Sequence, residues 1–111
     1  MGPIVKVIVD RPLGSYHPKH PNIYYPVNYG YIEGTTAADG EEEDAYILGV
    51  AEPVVEFTGR AIAIINREDD VEHKWVVVPD GMLFSKEQIK ELTHFQERYF
   101  KSEITLLYKQ L

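Results

Sequence analysis

Cysteine is absent from the chain. That excludes disulfides, thiolate zinc sites and thiol nucleophiles, leaves the interior to be held by packing alone, and suits a reducing compartment. Basic runs are missing too. Lys and Arg number 11 against 18 Asp and Glu, a formal charge of −7, so a bare nucleic-acid backbone would be repelled. No apolar run, "AIAII" included, is long enough to span a bilayer, and the N-terminus lacks the basic, apolar and small-residue order of a signal peptide. The expectation is a soluble, cytoplasmic protein with neither nucleic acid nor membrane as partner. Internal repeats and low-complexity linkers are also absent from the 111 residues, so one domain, 1–111, is expected.

What is present reads mainly as β-structure. "PIVKVIVD" alternates Ile4, Val5, Val7 and Val9 with Lys6 and predicts a strand ending at Asp10-Arg11-Pro12. From Arg11 to Asn28 come Pro12, Gly14, Pro18, Pro21 and Pro26, which predict a long loop loaded with tyrosine and histidine. Loops of about fifteen residues are uncommon in compact domains and are more often functional than neutral. "AYILGV", "RAIAIIN" and "KWVVVP" predict buried strands, with "REDDVEHK" an exposed hairpin connection. Ser85 and Gln88 make a capping box, and Ile89, Leu92, Phe95 and Tyr99 recur at helical steps, predicting a helix over about 86–100. Ile104, Leu106 and Tyr108 alternate and predict a last strand. Short strands with one late helix point to a small closed or nearly closed β-barrel with the helix packed outside it. Closure would also remove exposed strand edges.

Four stretches carry possible chemistry. "DGEEED" sets five carboxylates in six residues. If the segment is extended, Asp39, Glu41 and Glu43 face one way, and Gly40 allows a bend that brings Asp44 to the same ion; magnesium favours such oxygen ligands. A solvated turn is the commoner reading of such a run, and spacing does not decide between them. "YYPVNYGYI" gathers Tyr24, Tyr25, Tyr29 and Tyr31, either as phenol donors to an anion or as core with wet edges. "SYHPKHP" places His17 and His20 around Lys19; zinc would need further ligands that are not evident, whereas phosphate would be attracted. His73 and His94 stand alone and read as surface or helix residues. In "REDDVEHKW", Glu72 and Lys74 share one face of a strand start, where they could touch metal and phosphate, although a hairpin tip is usually plain solvated surface.

Taken in order, "VDRPL", "YYPVNYGYI", "DGEEEDAYIL", "EHKWVVVP" and "HFQERY" resemble the family I soluble inorganic pyrophosphatases. The likeness runs over about residues 9–101. It implies a five-stranded OB-like barrel with helices outside, hydrolysis of pyrophosphate or another small phosphoanhydride, and magnesium, with manganese as a substitute, as cofactor. It also implies a homo-oligomer. By motif position it implies Asp39, Glu41, Asp44 and Glu72 as metal ligands and Glu41 as general base. Arg11, Tyr25, Tyr29, Lys74 and Tyr99 would hold phosphate, with Arg11 and Lys74 stabilising the leaving group. Pyrophosphate carries about three to four negative charges, so attack by water requires their neutralisation.

The departures from the family are specific. Glu41 and Glu72 replace aspartates, each adding a methylene that moves the carboxylate by about an ångström. Glu42 and Glu43 stand where the family has proline and an apolar residue, and Phe100 replaces a lysine, with Lys101 one place late. The family's earlier strand, bearing a Lys-x-Glu pair, has no counterpart here. The loop after Arg11 is longer than the family's, and its extra His17, Lys19 and His20 are expected to take over the missing basic role. The alternative is a catalytically silent relative serving as a metal- or phosphate-binding or regulatory module. An OB-type nucleic-acid binder is discouraged by the net charge.

Overall fold

The computed structural model describes residues 2–36, 40–68 and 73–108. Among them are strands β1 (Ile4–Arg11), β2 (Asn28–Ile32), β3 (Asp44–Ile47), β4 (Glu56–Arg67) and β5 (His73–Val78), helix α1 (Lys86–Glu97) and strand β6 (Ser102–Leu106). The sheet order is β1-β2-β3-β5-β4-β6, and β1 also pairs with β4. The first five strands therefore close into a ring, as expected of the barrel, and β6 lies outside it on β4. Neighbours are antiparallel except β3 and β5, which run parallel.

β4 makes the closure possible because it is long enough to serve two partners along one edge. Its first half, Glu56 to Arg60, pairs with β1, and Ala63 to Arg67 pairs with β6, while β5 occupies the other edge. A register shift between Ala61 and Ala63 marks the bend that the curved wall needs. Two apolar clusters result. Val7, Ile32, Ala45, Ile47, Val77 and the partly buried Phe57 come from all five ring strands and so fill its interior. Tyr29, Tyr46, Leu48, Ile65, Val76 and Val78 lie on the opposite face, beneath Ile89 and Phe95 of α1. Alternate residues of β3 and β5 thus enter different clusters, which is why both strands read as continuous apolar runs.

Two expectations are corrected. The helix ends at Glu97 rather than near 100, and its buried positions are Ile89, Thr93, Gln96 and Glu97, not the apolar series through Leu92 and Tyr99, which are exposed. The apolar count missed this face because three of its four members are polar groups with hydrogen-bond partners. The Ser85–Gln88 capping box is formed as expected. His73 is also not alone: its Nε2 lies 2.7 Å from Glu43 Oε1.

β2 was not among the predicted strands, and Asn28 and Gly30 both disfavour strands by type. Each is there for a local reason. Asn28 is fully buried, its Oδ1 accepting from the Leu13 and Val54 amides and its Nδ2 donating to the Glu52 carbonyl, so it ties two loops to the barrel. At Gly30 a Cβ would stand 1.9 Å from the Ile8 carbonyl oxygen, so β1 and β2 approach only because no side chain intervenes. Gly30→Ala should therefore destabilise the protein by about 3 kcal/mol or more, read as a lowered urea midpoint, because backbone rather than a flexible side chain must move. A midpoint equal to that of the parent would show that β1 and β2 can separate freely.

Candidate functional site

A cavity of about 530 Å³ opens on the α1 side of the barrel, and Arg11, Lys74, Arg67, Asp44, Tyr29 and His17 are among its lining residues. Each reaches it for a local reason. Val7 and Val9 of β1 pack against the interior cluster, but the β1–β2 register shifts between Val9 and Arg11. That bulge re-aims Arg11 toward the other face, where its guanidinium lies 5.6 Å from the Tyr25 ring centroid and 5.4 Å from that of Tyr29. Asp44 and Lys74 immediately precede Ala45 and Trp75, which are register partners of the parallel β3 and β5. Adjacent strands thus present them side by side.

Lys74 Nζ donates to Asp44 Oδ2 at 2.8 Å, and the Tyr29 hydroxyl donates to the same oxygen at 2.6 Å. Burial, and then the neighbouring Asp44 charge, push the Tyr29 hydroxyl well above its ordinary value of 10, so it stays protonated and donates. Asp10, beside Arg11, is part of this surrounding: burial raises its carboxyl, Arg11 opposes that rise, and Asp44 adds to it.

Behind the cavity wall runs a directed chain of buried hydrogen bonds. Arg11 Nη1 donates to the Tyr25 hydroxyl at 2.5 Å, and that hydroxyl donates to Gln96 Oε1. Gln96 Nε2 donates to the Tyr46 hydroxyl at 2.8 Å, which donates to Glu97 Oε2 at 2.5 Å. Glu97 also accepts from Arg67 Nε at 3.1 Å, from Arg67 Nη2 at 2.8 Å and from the Ser102 hydroxyl at 2.9 Å. Burial alone would raise the Glu97 carboxyl, but Arg67, Tyr46 and Ser102 hold it below its ordinary value of 4.5. The Arg67 guanidinium further lies 3.7 Å from the Phe100 ring centroid.

The expected site residues separate into groups. Arg11, Tyr29, Asp44, Lys74 and Tyr99 meet at one cavity. Tyr25 is fully buried and stands one step back, holding Arg11. Tyr99 lies just past α1, half exposed, and accepts from Arg98 Nη2 at 2.9 Å. In the acidic stretch, Gly40 has φ of 87°, so the chain bends there, and Glu41 is exposed. Glu43 turns from Asp44 to the opposite face of β3, where it accepts from Trp75 Nε1 at 2.8 Å and pairs with His73. Asp39 and Glu72 lie outside the described residues. Of the histidine loop, His17 and His20 line the cavity, whereas Lys19 is exposed.

Sequence reasoning missed Arg67, Gln96, Glu97 and Tyr46. A signal for one of them existed: Arg67 is two residues from Ile65 on one strand, so strand alternation places both on the same face.

A magnesium ion wants an octahedron of oxygen ligands. Among the described residues Asp44 is the one carboxylate lining the cavity, its Oδ2 already accepting two hydrogen bonds, and no three His, Asp or Glu side chains form a metal-binding group. The described donors do not compose a magnesium centre by themselves. What they do compose is a rigid set of cations suited to an oxyanion.

Replacing Glu97 by Gln strands the buried Arg67 without a counter-charge and should cost about 3 kcal/mol at neutral pH. The depressed carboxyl adds stability that is fully present above 4.5 and is lost as pH falls through the lower folded value, so the gap between parent and E97Q should narrow in acid. Urea unfolding of both proteins at pH 7 and at successively lower pH checks this; a constant gap would contradict it.

The inorganic pyrophosphatase family model matches residues 5–109. An inorganic pyrophosphatase of Gluconobacter oxydans is 35% identical over a stretch covering 68% of this chain and 53% of the relative. One from Campylobacter jejuni is 29% identical over 78% of this chain and 50% of its own. The chain thus spans about half the length of the curated relatives it matches. The crystal structure of inorganic pyrophosphatase from Ehrlichia chaffeensis superimposes with a TM-score of 0.73 at 21% identity, covering 96% of this chain and 88% of that one, which shows the shared fold. With the family model matching almost its whole length, this chain belongs to the inorganic pyrophosphatases.

Proposed function

We propose that the chain hydrolyses inorganic pyrophosphate, or another small phosphoanhydride, at the cavity beside α1. The observation that carries the reading is the convergence of Arg11, Lys74 and Arg67 around Asp44 in one cavity of a pyrophosphatase fold. Two of these cations are fixed by carboxylate contacts, that of Arg67 buried and that of Lys74 partly buried, and the third by two tyrosine rings, so a ligand finds the field already oriented. Arg11 and Lys74 hold the phosphoryl oxygens and offset charge on the leaving phosphate. Tyr29 fixes Asp44, Tyr25 fixes Arg11, and Tyr99 contributes its hydroxyl at the rim. Glu41, in the bend before β3, is the proposed acceptor of a proton from the attacking water.

Magnesium, with manganese as a substitute, belongs to the proposal as the family's cofactor, with Asp39, Glu41, Asp44 and Glu72 its proposed ligands by sequence. Cytoplasmic residence and a homo-oligomeric state belong to it as well. No helix among the described residues is long and apolar enough to cross a membrane. A second reading, a phosphate-binding module without turnover, is favoured by the single carboxylate that the described residues bring to the cavity.

Phosphate release from pyrophosphate, followed across pH with magnesium and then manganese, distinguishes the two. Ion-dependent release is expected, reduced by about 10²–10³ in Arg11→Ala, the scale for losing one oriented donor, and abolished in Asp44→Ala. Release at the buffer background with both ions, alongside pyrophosphate binding by calorimetry, would replace hydrolysis with the binding module.

A further inference from the structure

The loop between Arg11 and Asn28 is a folded structure rather than a loose connection. Tyr16 and Tyr24 form an isolated bridge, the His17 amide donates to the Ile23 carbonyl at 2.9 Å, and the Ile23 amide donates back to the His20 carbonyl at 2.9 Å. At its root the Gly14 amide donates to the Tyr25 carbonyl, and the Tyr25 amide to the Ser15 carbonyl. This places the 17–20 turn over the same cavity that Arg11 enters from β1.

Within the turn His17 is held in one orientation and one tautomer. Its Nδ1 accepts from the backbone amides of Lys19 at 3.0 Å and His20 at 3.2 Å. Its ring stacks on Tyr25 at 6.4 Å with 26° between planes and meets the His20 ring at 4.8 Å. A nitrogen that accepts carries a lone pair, so the single proton of the neutral imidazole resides on Nε2, across the ring. Protonating Nδ1 would abolish both backbone bonds. Burial, and then the charges of Arg11, His20 and Lys19, also shift His17 toward the neutral form.

We propose that His17 is a substrate-binding residue, a neutral hydrogen-bond donor whose Nε2–H contacts a phosphoryl oxygen of the anion held by Arg11. This rests on the reading of the cavity as a phosphoanhydride site. A neutral donor suits a wall already rich in cations, because it adds direction without adding repulsion among Arg11, Lys74 and Arg67. The turn supplies the orientation by spending Nδ1 on two amides, so little side-chain freedom is lost when the ligand arrives.

Two substitutions separate this from a purely structural turn. Asn at 17 offers an oxygen where Nδ1 stood, able to accept the same amides, and has no donor at the Nε2 position. Gln reaches the Nε2 position with an amide N–H but does not cap the turn. Calorimetric titration of pyrophosphate at pH 7.5 should show His17→Asn weakened about tenfold with its unfolding midpoint kept, and His17→Gln closer to the parent. In ¹⁵N spectra of the free protein, Nδ1 of His17 should be unprotonated and Nε2 protonated, the latter moving on addition of pyrophosphate. Parent-like affinity in His17→Asn, or a proton on Nδ1, would overturn the assignment while leaving the proposed function standing. A parent that binds no pyrophosphate would overturn both.

Discussion

The carboxylate of Glu97 is the constraint on which much of the molecule turns. It is buried and ionised, a combination that costs several kcal/mol unless its lone pairs are used. Arg67, Tyr46 and Ser102 use them, and they come from β4, β3 and β6. One helical residue therefore fixes the seat of α1 against three strands. It also sets proton direction upstream: Tyr46 must donate to it, so Gln96 must donate to Tyr46, so Gln96 accepts from Tyr25, which is then left to accept from Arg11. A cation at the cavity is thereby oriented by a carboxylate it never touches.

The barrel supplies the complementary precision. Asp44 and Lys74 are neighbours because β3 and β5 pair in parallel, a register fixed by Ala45, Tyr46 and Ile47 against Trp75, Val76 and Val77. A slip of one residue in either strand would exchange its residues between the two apolar clusters and turn its charge to the other face. The β1 bulge works in the opposite sense. It breaks an alternation that would have sent Arg11 after Val7 and Val9, and delivers it to the tyrosines.

Much of the scaffold was legible in the sequence, because it obeys simple periods: the alternation in β1 and β6, the apolar runs of β3 and β5, the capping box at Ser85. Asp44, Lys74, Arg11 and Tyr29 were legible only as motif neighbours, and folding makes them spatial neighbours. The rest was hidden where tertiary partners override residue type. Gly30 and Asn28 are residue types that disfavour strands, yet one permits close strand approach and the other satisfies two loops. Gln96 and Glu97 were not singled out, because a pattern of apolar residues cannot register a polar face whose partners lie far away in the chain. Glu43 and Asp44 look equivalent in composition, but adjacent strand positions face opposite ways, and only one reaches the cavity.

The cations of the cavity are not equivalent either, and the difference bears on what the cavity binds. Lys74 is matched by Asp44, and Arg67 by Glu97, each through short charge-assisted bonds. Arg11 is instead held by a phenol oxygen and two aromatic faces, neutral groups that fix its position, with the neighbouring Asp10 carboxylate acting on it through charge. A ligand therefore meets a strong, directed field from Arg11 and a polarised but balanced wall from the other two. The cavity wall thus carries its charge unevenly, a property set by which acceptor each cation was given.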